Sequence, residues 1–282
     1  MFSTLTDDLG FLEGPVVCRD GSIAVTSIDR GKVYRISEGK AVEFAETGGG
    51  ANGLVEGPDG SFFVAQNGGT WPALNHLKAE PGIQRIDRHG KLSRAAEGMR
   101  SPNDLAFGPD GFLYVTDPTR KPERDDGRVW KVDVETGQAE VILNCDWYPN
   151  GIGFSHEDEW IYVADTRNAR IVRIPLEAKG ERRVDPIIQM EENHPDGFAF
   201  DLDGNIVIAS PGSESTAGHI QVWSLAGKLQ EIIHLGSSRY YTNLAISEDR
   251  RIYVTDANGA QILTATWPSA GLPLHPFRGK PA

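Results

Sequence analysis

The chain of 282 residues contains only two cysteines, Cys18 and Cys145, and they do not form a C-x-x-C pair. A chain of this length buries enough apolar surface to be stable without disulfides. Both cysteines lie in apolar, strand-like segments, so we expect two buried free thiols in a reducing compartment. Neither cysteine has a histidine nearby in the sequence that would suggest a nucleophile.

Long apolar runs are also missing. No stretch approaches the roughly 20 apolar residues that a membrane-spanning helix needs. The first residues, MFSTLTDDLG, lack the basic start and the apolar run of a secretory signal. We therefore expect a soluble, cytoplasmic protein that does not bind membranes.

Basic residues are outnumbered, with 28 Lys and Arg against 40 Asp and Glu, which gives a formal net charge of −12. An acidic surface repels phosphates, and no basic patch with interleaved aromatic residues occurs, so nucleic-acid binding is not expected. The sequence has neither a G-x-S-x-G nucleophile motif nor an H-E-x-x-H zinc motif.

What the sequence does contain is a repeated motif. An apolar hexamer follows a turn such as Asp110-Gly111 at a spacing of roughly 40 to 50 residues. The hexamers are SIAVTS (22–27), SFFVAQ (61–66), FLYVTD (112–117), WIYVAD (160–165), NIVIAS (205–210) and RIYVTD (251–256). Each is preceded by a shorter apolar segment and followed, after a loop, by an alternating one, with a weaker fourth segment in five repeats.

Four antiparallel strands repeated at this spacing predict an all-β protein, a six-bladed β-propeller of four-stranded blades. The last repeat ends after its third strand, and the N-terminal FSTLTDD has no repeat of its own. We expect this segment to supply the missing outer strand and to close the ring. No linker interrupts the repeats, so residues 1–282 are predicted to form a single domain.

A polar residue stands immediately before the innermost strand of every repeat. These six residues are Glu13, Asn52, Asn103, Asn150, Asp196 and Asn243. Asn-Gly pairs are common in hairpin turns, but glutamate is a poor turn former, and all six positions are in register. The innermost strands of a propeller line its channel, so these side chains are predicted to converge there. Carboxylate and amide oxygens around a narrow pore suit a hard divalent cation.

The sequence resembles the senescence marker protein (regucalcin)/gluconolactonase family of six-bladed propellers over essentially its whole length. The segments that carry the resemblance are EGP (13–15), SPNDLAF (101–107), PNGIGF (149–154) and PDGFAFDLDGN (195–205). The resemblance implies that Glu13, Asn150 and Asp196 hold one divalent metal ion. It also implies that Asn103 assists in binding metal or substrate, and that Asp196 is the acid/base of lactone hydrolysis.

Oxygen ligands favour Ca²⁺, with Mn²⁺, Mg²⁺ or Zn²⁺ as alternatives. Regucalcin-like members carry a substrate-binding arginine two residues before the asparagine of the P-N-D motif. Here that position is Ser101, and Arg100 lies one residue further away. The S-P-N-D form more closely resembles the bacterial gluconolactonase branch. We predict substrate contacts from Asn103, Arg100, Asn52, His194 and Tyr241.

The predicted wall of the pocket comes from long loops between the second and third strands, at residues 67–81, 118–127 and 211–218. Further candidates for this wall are Trp71, Arg120, Trp147, Tyr148 and Tyr240. Polar groups with aromatic faces suit sugar-like rings.

The sequence therefore predicts a metal-dependent hydrolase that opens a sugar-derived lactone, acting on a small molecule as a monomer or weak homo-oligomer. Two alternatives remain open. The same ring could polarise the P=O bond of a phosphotriester, or the protein could be a non-catalytic propeller scaffold with a structural ion.

Overall fold

The computed structural model describes residues 1–71, 77–120, 123–178 and 180–277. All regular secondary structure in these ranges is β-strand, arranged as six four-stranded antiparallel sheets around a central channel. The predicted all-β, six-bladed propeller is confirmed. No helix among the described residues has the length and apolar character needed to cross a membrane.

The first strand along the chain is β1 (Ser3–Thr6), and the three blades that follow it have regular boundaries. Blade one contains β2 (Leu12–Val17), β3 (Ile23–Ser27), β4 (Lys32–Ser37) and β5 (Lys40–Glu46). Blade two contains β6 (Ala51–Glu56), β7 (Phe62–Gln66), β8 (Gly82–Ile86) and β9 (Leu92–Ala96). Blade three contains β10 (Leu105–Phe107), β11 (Leu113–Arg120), β12 (Glu123–Val132) and β13 (Ala139–Cys145).

The second half of the ring repeats the pattern. Blade four contains β14 (Pro149–Phe154), β15 (Trp160–Asp165), β16 (Arg170–Pro175) and β17 (Asp185–Gln189). Blade five contains β18 (Phe198–Phe200), β19 (Asn205–Ser210), β20 (His219–Ser224) and β21 (Leu229–Ile233). Blade six contains β22 (Tyr241–Ile246), β23 (Arg251–Asp256) and β24 (Gln261–Thr266).

The N-terminal segment closes the ring as predicted. Strand β1 pairs antiparallel with β24, with Ser3 opposite Thr264, and so becomes the outermost strand of blade six. The first and last parts of the propeller are thereby joined in one sheet, which covers the edge that β24 would otherwise expose.

The core lies between neighbouring blades. Strands β3 and β7, formed by two of the repeated hexamers, are buried along their whole length because blades pack on both of their faces. Apolar side chains of adjacent blades share clusters, as where the rings of Phe63 and Phe107 meet edge to face with centroids 5.6 Å apart. Outer strands such as β9 are mostly exposed, which explains the weaker apolar pattern of the fourth segment in each repeat.

The channel-lining residues sit at irregularities in the sheets. The strand register shifts next to Glu13, between Ala51 and Leu54, and between Pro149 and Ile152. A bulge of this kind bends a strand and redirects one side chain. The repeats predicted these residues just before the inner strands, whereas Glu13, Asn52 and Asn150 lie inside β2, β6 and β14.

Threonine hydroxyls on second strands link neighbouring blades at this level. The Oγ1 atom of Thr26 lies 2.8 Å from the carbonyl oxygen of Glu13 and 2.5 Å from that of Asn52 in the next blade. Thr116 Oγ1 donates to the carbonyl of Asn150 over 2.6 Å. The backbone at the channel is therefore fixed from two blades at once.

One predicted loop is mainly strand. Residues 118–127 were expected to form a loop between second and third strands, but β11 extends to Arg120 and β12 begins at Glu123. The pairing of Pro118 with Gly127 continues the hairpin beyond the blade. This extension carries Arg120 to the mouth of the channel.

The C-terminal segment crosses the opposite face from blade six towards blade four. The amide of Leu202 donates to the carbonyl of Ala270 over 2.9 Å, and that of Leu272 donates to Phe200 over 2.9 Å. Further along, Nε2 of His275 lies 2.9 Å from Oδ1 of Asp158. This segment belongs to no repeat, and the sequence pattern did not reveal its path.

The close approach of inner strands gives a stability prediction. A Cβ atom on Gly53 would lie 2.7 Å from Cα and 2.5 Å from Oδ1 of Asp104, and 2.9 Å from the carbonyl oxygen of Asn103. Since backbone atoms cannot move aside without opening the ring, we expect Gly53→Ala to lower the free energy of unfolding by about 1–3 kcal/mol.

The matched control is Gly153→Ala on β14, where the nearest atom to the added Cβ is 3.1 Å away on the movable ring of Phe198. Thermal and urea denaturation of both variants would measure the difference. Equal stability of the two variants would contradict the close packing of the inner strands at Gly53.

Candidate active site

A cavity of about 320 Å³ opens at one end of the channel. Five of the six residues in register line it, and they come from the inner edges of five blades: Glu13, Asn52, Asn103, Asn150 and Asp196. The predicted convergence of these side chains is therefore seen in the structure. The sixth, Asn243, takes part indirectly, because its Nδ2 donates to Oε2 of Glu13 over 3.1 Å.

The two carboxylates of the cavity are held in an environment that disfavours their charge. Burial raises the pKa of Glu13, although the Gly14 amide donates to Oε2 over 2.9 Å and opposes this effect. The pKa of Asp196 is raised well above its usual value by burial first, and then by the negative charges of Glu13 and Asp104. A cation between Glu13 and Asp196 would relieve this repulsion.

The amide side chains form an ordered chain beside the carboxylates. Asn103 Nδ2 donates to Oδ1 of Asn150 over 2.7 Å, and Asn150 Nδ2 donates to Oγ1 of Thr166 over 3.0 Å. The Oδ1 atom of Asn52 is buried and has no hydrogen-bond partner among the described residues. An unpartnered buried oxygen beside two carboxylates is a free ligand position.

These donors fit a hard divalent cation, because carboxylate and amide oxygens are its preferred ligands. The described residues contain no group of three or more His, Cys, Asp or Glu side chains placed to hold a metal ion. A metal held here would therefore need amide oxygens as well as the carboxylates. Glu13, Asn150 and Asp196 are the predicted ligands, assisted by Asn103, and Asn52, which was predicted as a substrate contact, lines the same cavity.

Asp104 adds a third acidic group, between Asn103 and the start of β10. The side chain is half-buried, and its Oδ1 accepts a hydrogen bond from the amide of Leu105 over 2.8 Å. Burial, together with the charge of Glu13, raises the pKa of Asp104 to about 7. The sequence shows that Asn103 and Asp104 are adjacent polar residues. The repulsion between Asp104 and the carboxylates of other blades arises only once the ring has closed.

Aromatic and basic residues form the rim of the cavity. They are Trp71, Arg120, Tyr148, Arg167, His194 and Tyr240. The ring of Phe11 packs edge to face against Trp71 with centroids 5.1 Å apart, which supports the rim from below. Trp71, Arg120, Tyr148 and Tyr240 were predicted wall residues, whereas Arg167 and Thr166 carried no signal in the sequence.

Two predicted substrate contacts are not brought to the cavity. Arg100 points to the outside of the extended hairpin, where Nη1 lies 3.3 Å from Oγ1 of Thr119 and 3.5 Å from a carboxylate oxygen of Asp126. Tyr241 is packed in the apolar cluster between blades five and six. Its neighbour Tyr240, in the segment just before β22, reaches the rim instead. Trp147 is likewise a core residue.

His194 lines the cavity as predicted and is exposed at its mouth. The cysteines are distant from this chemistry. Both are free thiols, as predicted, but only Cys18 is buried, whereas Cys145 is half-buried. Burial raises the pKa of each thiol to about 12, so neither is a ready nucleophile.

The fold and this cavity define a class of protein: a six-bladed propeller with a carboxylate-amide site at one end of its channel. The profile of the SMP-30/gluconolactonase/LRE-like region matches residues 11–258. The chain belongs to this family, as its resemblance predicted.

Two curated relatives show how far the similarity extends. The adipocyte plasma membrane-associated protein of Rattus norvegicus is 24% identical over 243 residues, which cover 77% of this chain and 64% of the relative. The 6-deoxy-6-sulfogluconolactonase of Pseudomonas putida is 29% identical over 226 residues, which cover 75% of this chain and 74% of the relative. The match thus spans less than two thirds of the rat protein.

Among solved structures, the calcium-binding protein regucalcin of Agrobacterium tumefaciens superposes with a TM-score of 0.76 at 19% identity. The match covers 96% of this chain and 95% of that protein. At this identity the similarity establishes the shared fold.

The raised pKa of Asp104 predicts a pH-dependent stability. With a pKa of 3.8 in the unfolded chain and about 7 in the folded protein, this carboxyl binds more protons when folded. Its contribution to stability is complete below about pH 4 and is lost as the pH rises towards 7. In the presence of a metal chelator, the melting temperature of Asp104→Asn should therefore fall less between pH 5 and pH 8 than that of the wild type.

The control is Asp203→Asn, which removes a charge from an exposed turn on blade five. Scanning calorimetry at the two pH values would provide the comparison. If Asp104→Asn loses stability with pH as steeply as the control does, Asp104 is not under the repulsion described.

Proposed function

We propose that this protein is a divalent-metal-dependent lactonase that opens a sugar-derived lactone to the corresponding acid. The observation that carries the proposal is that Glu13 and Asp196 face the same cavity as Asn103 and Asn150. Membership of the gluconolactonase family supports the reaction class. The relative from Pseudomonas putida, named for a sulfogluconolactone, supports a sugar lactone as substrate.

Ca²⁺ is the metal that we propose first, since the donors are all oxygen and the related regucalcin is a calcium-binding protein. When bound, a divalent cation polarises a carbonyl and makes a nearby water more acidic. Glu13 and Asp196 would supply the negative charge that holds it. Asn103 and Asn150 would add oxygen ligands without further charge, so the cation would keep part of its electrophilic character.

Asp196 would move the proton in this reaction. Its raised pKa makes the ionised carboxylate a stronger base than an exposed aspartate, so it can take a proton from the attacking water. The same carboxyl can then deliver that proton to the ring oxygen as the C–O bond breaks. The positive charge of Arg120 and the hydrogen bond with Asn150 oppose the rise in pKa and keep the ionised form accessible.

The rim would position the sugar ring. Trp71, Tyr148 and Tyr240 line the cavity, and aromatic rings pack well against the apolar side of a sugar. The cavity of about 320 Å³ is of a size for one monosaccharide-like ring. A small-molecule substrate thus fits the site better than a macromolecule.

The role of Asp196 gives a direct prediction. Asp196→Asn keeps the shape of the side chain but removes its ability to accept a proton, so kcat for lactone hydrolysis should fall by about 10²–10⁴-fold. A pH-stat assay measures it, and thermal denaturation shows whether the propeller remains folded. Asp203→Asn, on an exposed turn, is the matched control. Turnover of Asp196→Asn at the control's rate would refute the acid/base assignment.

The metal requirement is tested separately. Hydrolysis of D-glucono-δ-lactone should disappear after dialysis against a chelator and return with Ca²⁺, Mn²⁺ or Zn²⁺, because the cation supplies the electrophile. Parallel assays with 6-deoxy-6-sulfogluconolactone and a phosphotriester cover the range of substrates. Hydrolysis of the phosphotriester alone would favour the alternative esterase. Tight ion retention with no turnover of any ester would favour a scaffold with a structural ion.

A further inference from the structure

The guanidinium of Arg120 lines the cavity in a fixed position. Its Nε donates to the hydroxyl of Tyr148 over 2.7 Å. Its central carbon lies 5.6 Å from the ring centroid of Trp71 and 5.9 Å from that of Tyr148. An arginine held between two aromatic side chains loses little further freedom when it binds a ligand.

Part of the hydrogen-bonding capacity of this guanidinium is left unused by the described residues. Nη1 of Arg120 is buried and has no hydrogen-bond partner among the described residues. The nearby arginines differ, since Arg100 pairs with Asp126 and Nη1 of Arg167 donates to Asp125. A buried charged donor without a partner is unfavourable, and a ligand that supplies an acceptor removes that cost.

The charges around the cavity indicate what this acceptor is. Arg120 lowers the pKa of both Glu13 and Asp196, so its charge is felt at the reacting end of the site. It nevertheless belongs to the rim, on the hairpin of blade three that extends beyond the sheet. The protein as a whole carries a formal charge of −12 and repels anions. A local arginine fork is the usual means by which a protein overcomes this for an oxyanion.

We propose that Arg120 recognises an oxyanion substituent, such as a sulfonate, a phosphate or a carboxylate, on the substrate at the end remote from the reacting carbonyl. This inference rests on the proposed lactonase function and narrows its substrate class to anionic sugar lactones. The residue that contacts the substrate is then Arg120, in place of the Arg100 that the sequence suggested.

The test compares lactones that share one ring and differ in charge: D-glucono-δ-lactone, 6-phospho-D-glucono-δ-lactone and 6-deoxy-6-sulfo-D-glucono-δ-lactone. The wild type should show a higher kcat/KM for at least one anionic lactone than for the neutral one, and the better of the two identifies the oxyanion. In Arg120→Gln this ratio should fall by about 10–100-fold, as expected for a lost charge-assisted hydrogen bond. Arg100→Gln, with the same loss of charge outside the cavity, should keep the wild-type ratio.

Arg120→Lys separates recognition from simple charge compensation. If Arg120 served only to balance the charges of Glu13 and Asp196, Arg120→Lys would hydrolyse all three lactones with the wild-type preference. The ratio of kcat/KM for the anionic lactone to that for the neutral lactone would then be the same in all variants, which would overturn the proposal. If the planar fork recognises the oxyanion, the ratio in Arg120→Lys stays below that of the wild type.

Calorimetric binding of the open acids keeps this inference distinguishable from the proposed function. 6-Deoxy-6-sulfogluconate or 6-phosphogluconate should bind the wild type at least about 10-fold more tightly than gluconate, and Arg120→Gln should lose the difference. Should none of the lactones be hydrolysed while this difference is found, the lactonase function fails and anion recognition stands. Equal binding to the wild type of gluconate and of the acids that carry a second oxyanion at C6 would overturn the anion site even if the lactones are hydrolysed.

Discussion

The repulsion among acidic side chains in a narrow channel is the constraint on which the site depends. Glu13, Asp104 and Asp196 come from three blades. The charge of Glu13 raises the pKa of Asp104, and the charges of Glu13 and Asp104 both raise the pKa of Asp196. Isolated strands would never bring these groups together, because the charges would separate. Inter-blade apolar packing and the closure of β1 on β24 hold them in place. The stability of the blades thus sustains an unfavourable cluster at the centre, as active sites commonly require.

The backbone of the inner strands converts this stability into geometry. Bulges beside Glu13 and Asn150 redirect single side chains, and the hydroxyls of Thr26 and Thr116 bridge the carbonyls of adjacent blades. The backbone at these channel-lining residues is therefore held by two neighbouring blades rather than by flexible loops. This arrangement suits a site in which oxygen atoms from separate parts of the chain are to meet one small cation or one carbonyl.

Two levels can be distinguished along the cavity. The inner level contains carboxylates and amides that lie on the inner strands or just before them, and these groups suit metal binding and proton transfer. The outer level contains Trp71, Arg120, Tyr148 and Tyr240, which come from connecting segments and from an extended hairpin. The inner level supports the reaction class that we propose, and in that proposal the outer level selects the substrate. Substrate preference can then change through the rim without disturbing the ring.

The sequence by itself determined the six repeats, the closing strand and the register of Glu13, Asn52, Asn103, Asn150 and Asp196, because apolar periodicity and turn residues are local signals. It could not distinguish Tyr240 from Tyr241, nor Arg100 from Arg120, since a bulge or a longer hairpin changes which side chain points inward. The charge coupling of Asp104 and the C-terminal crossing were decided by the tertiary structure alone. Both depend on distances between segments far apart in the chain, and such distances exist only once the ring has closed.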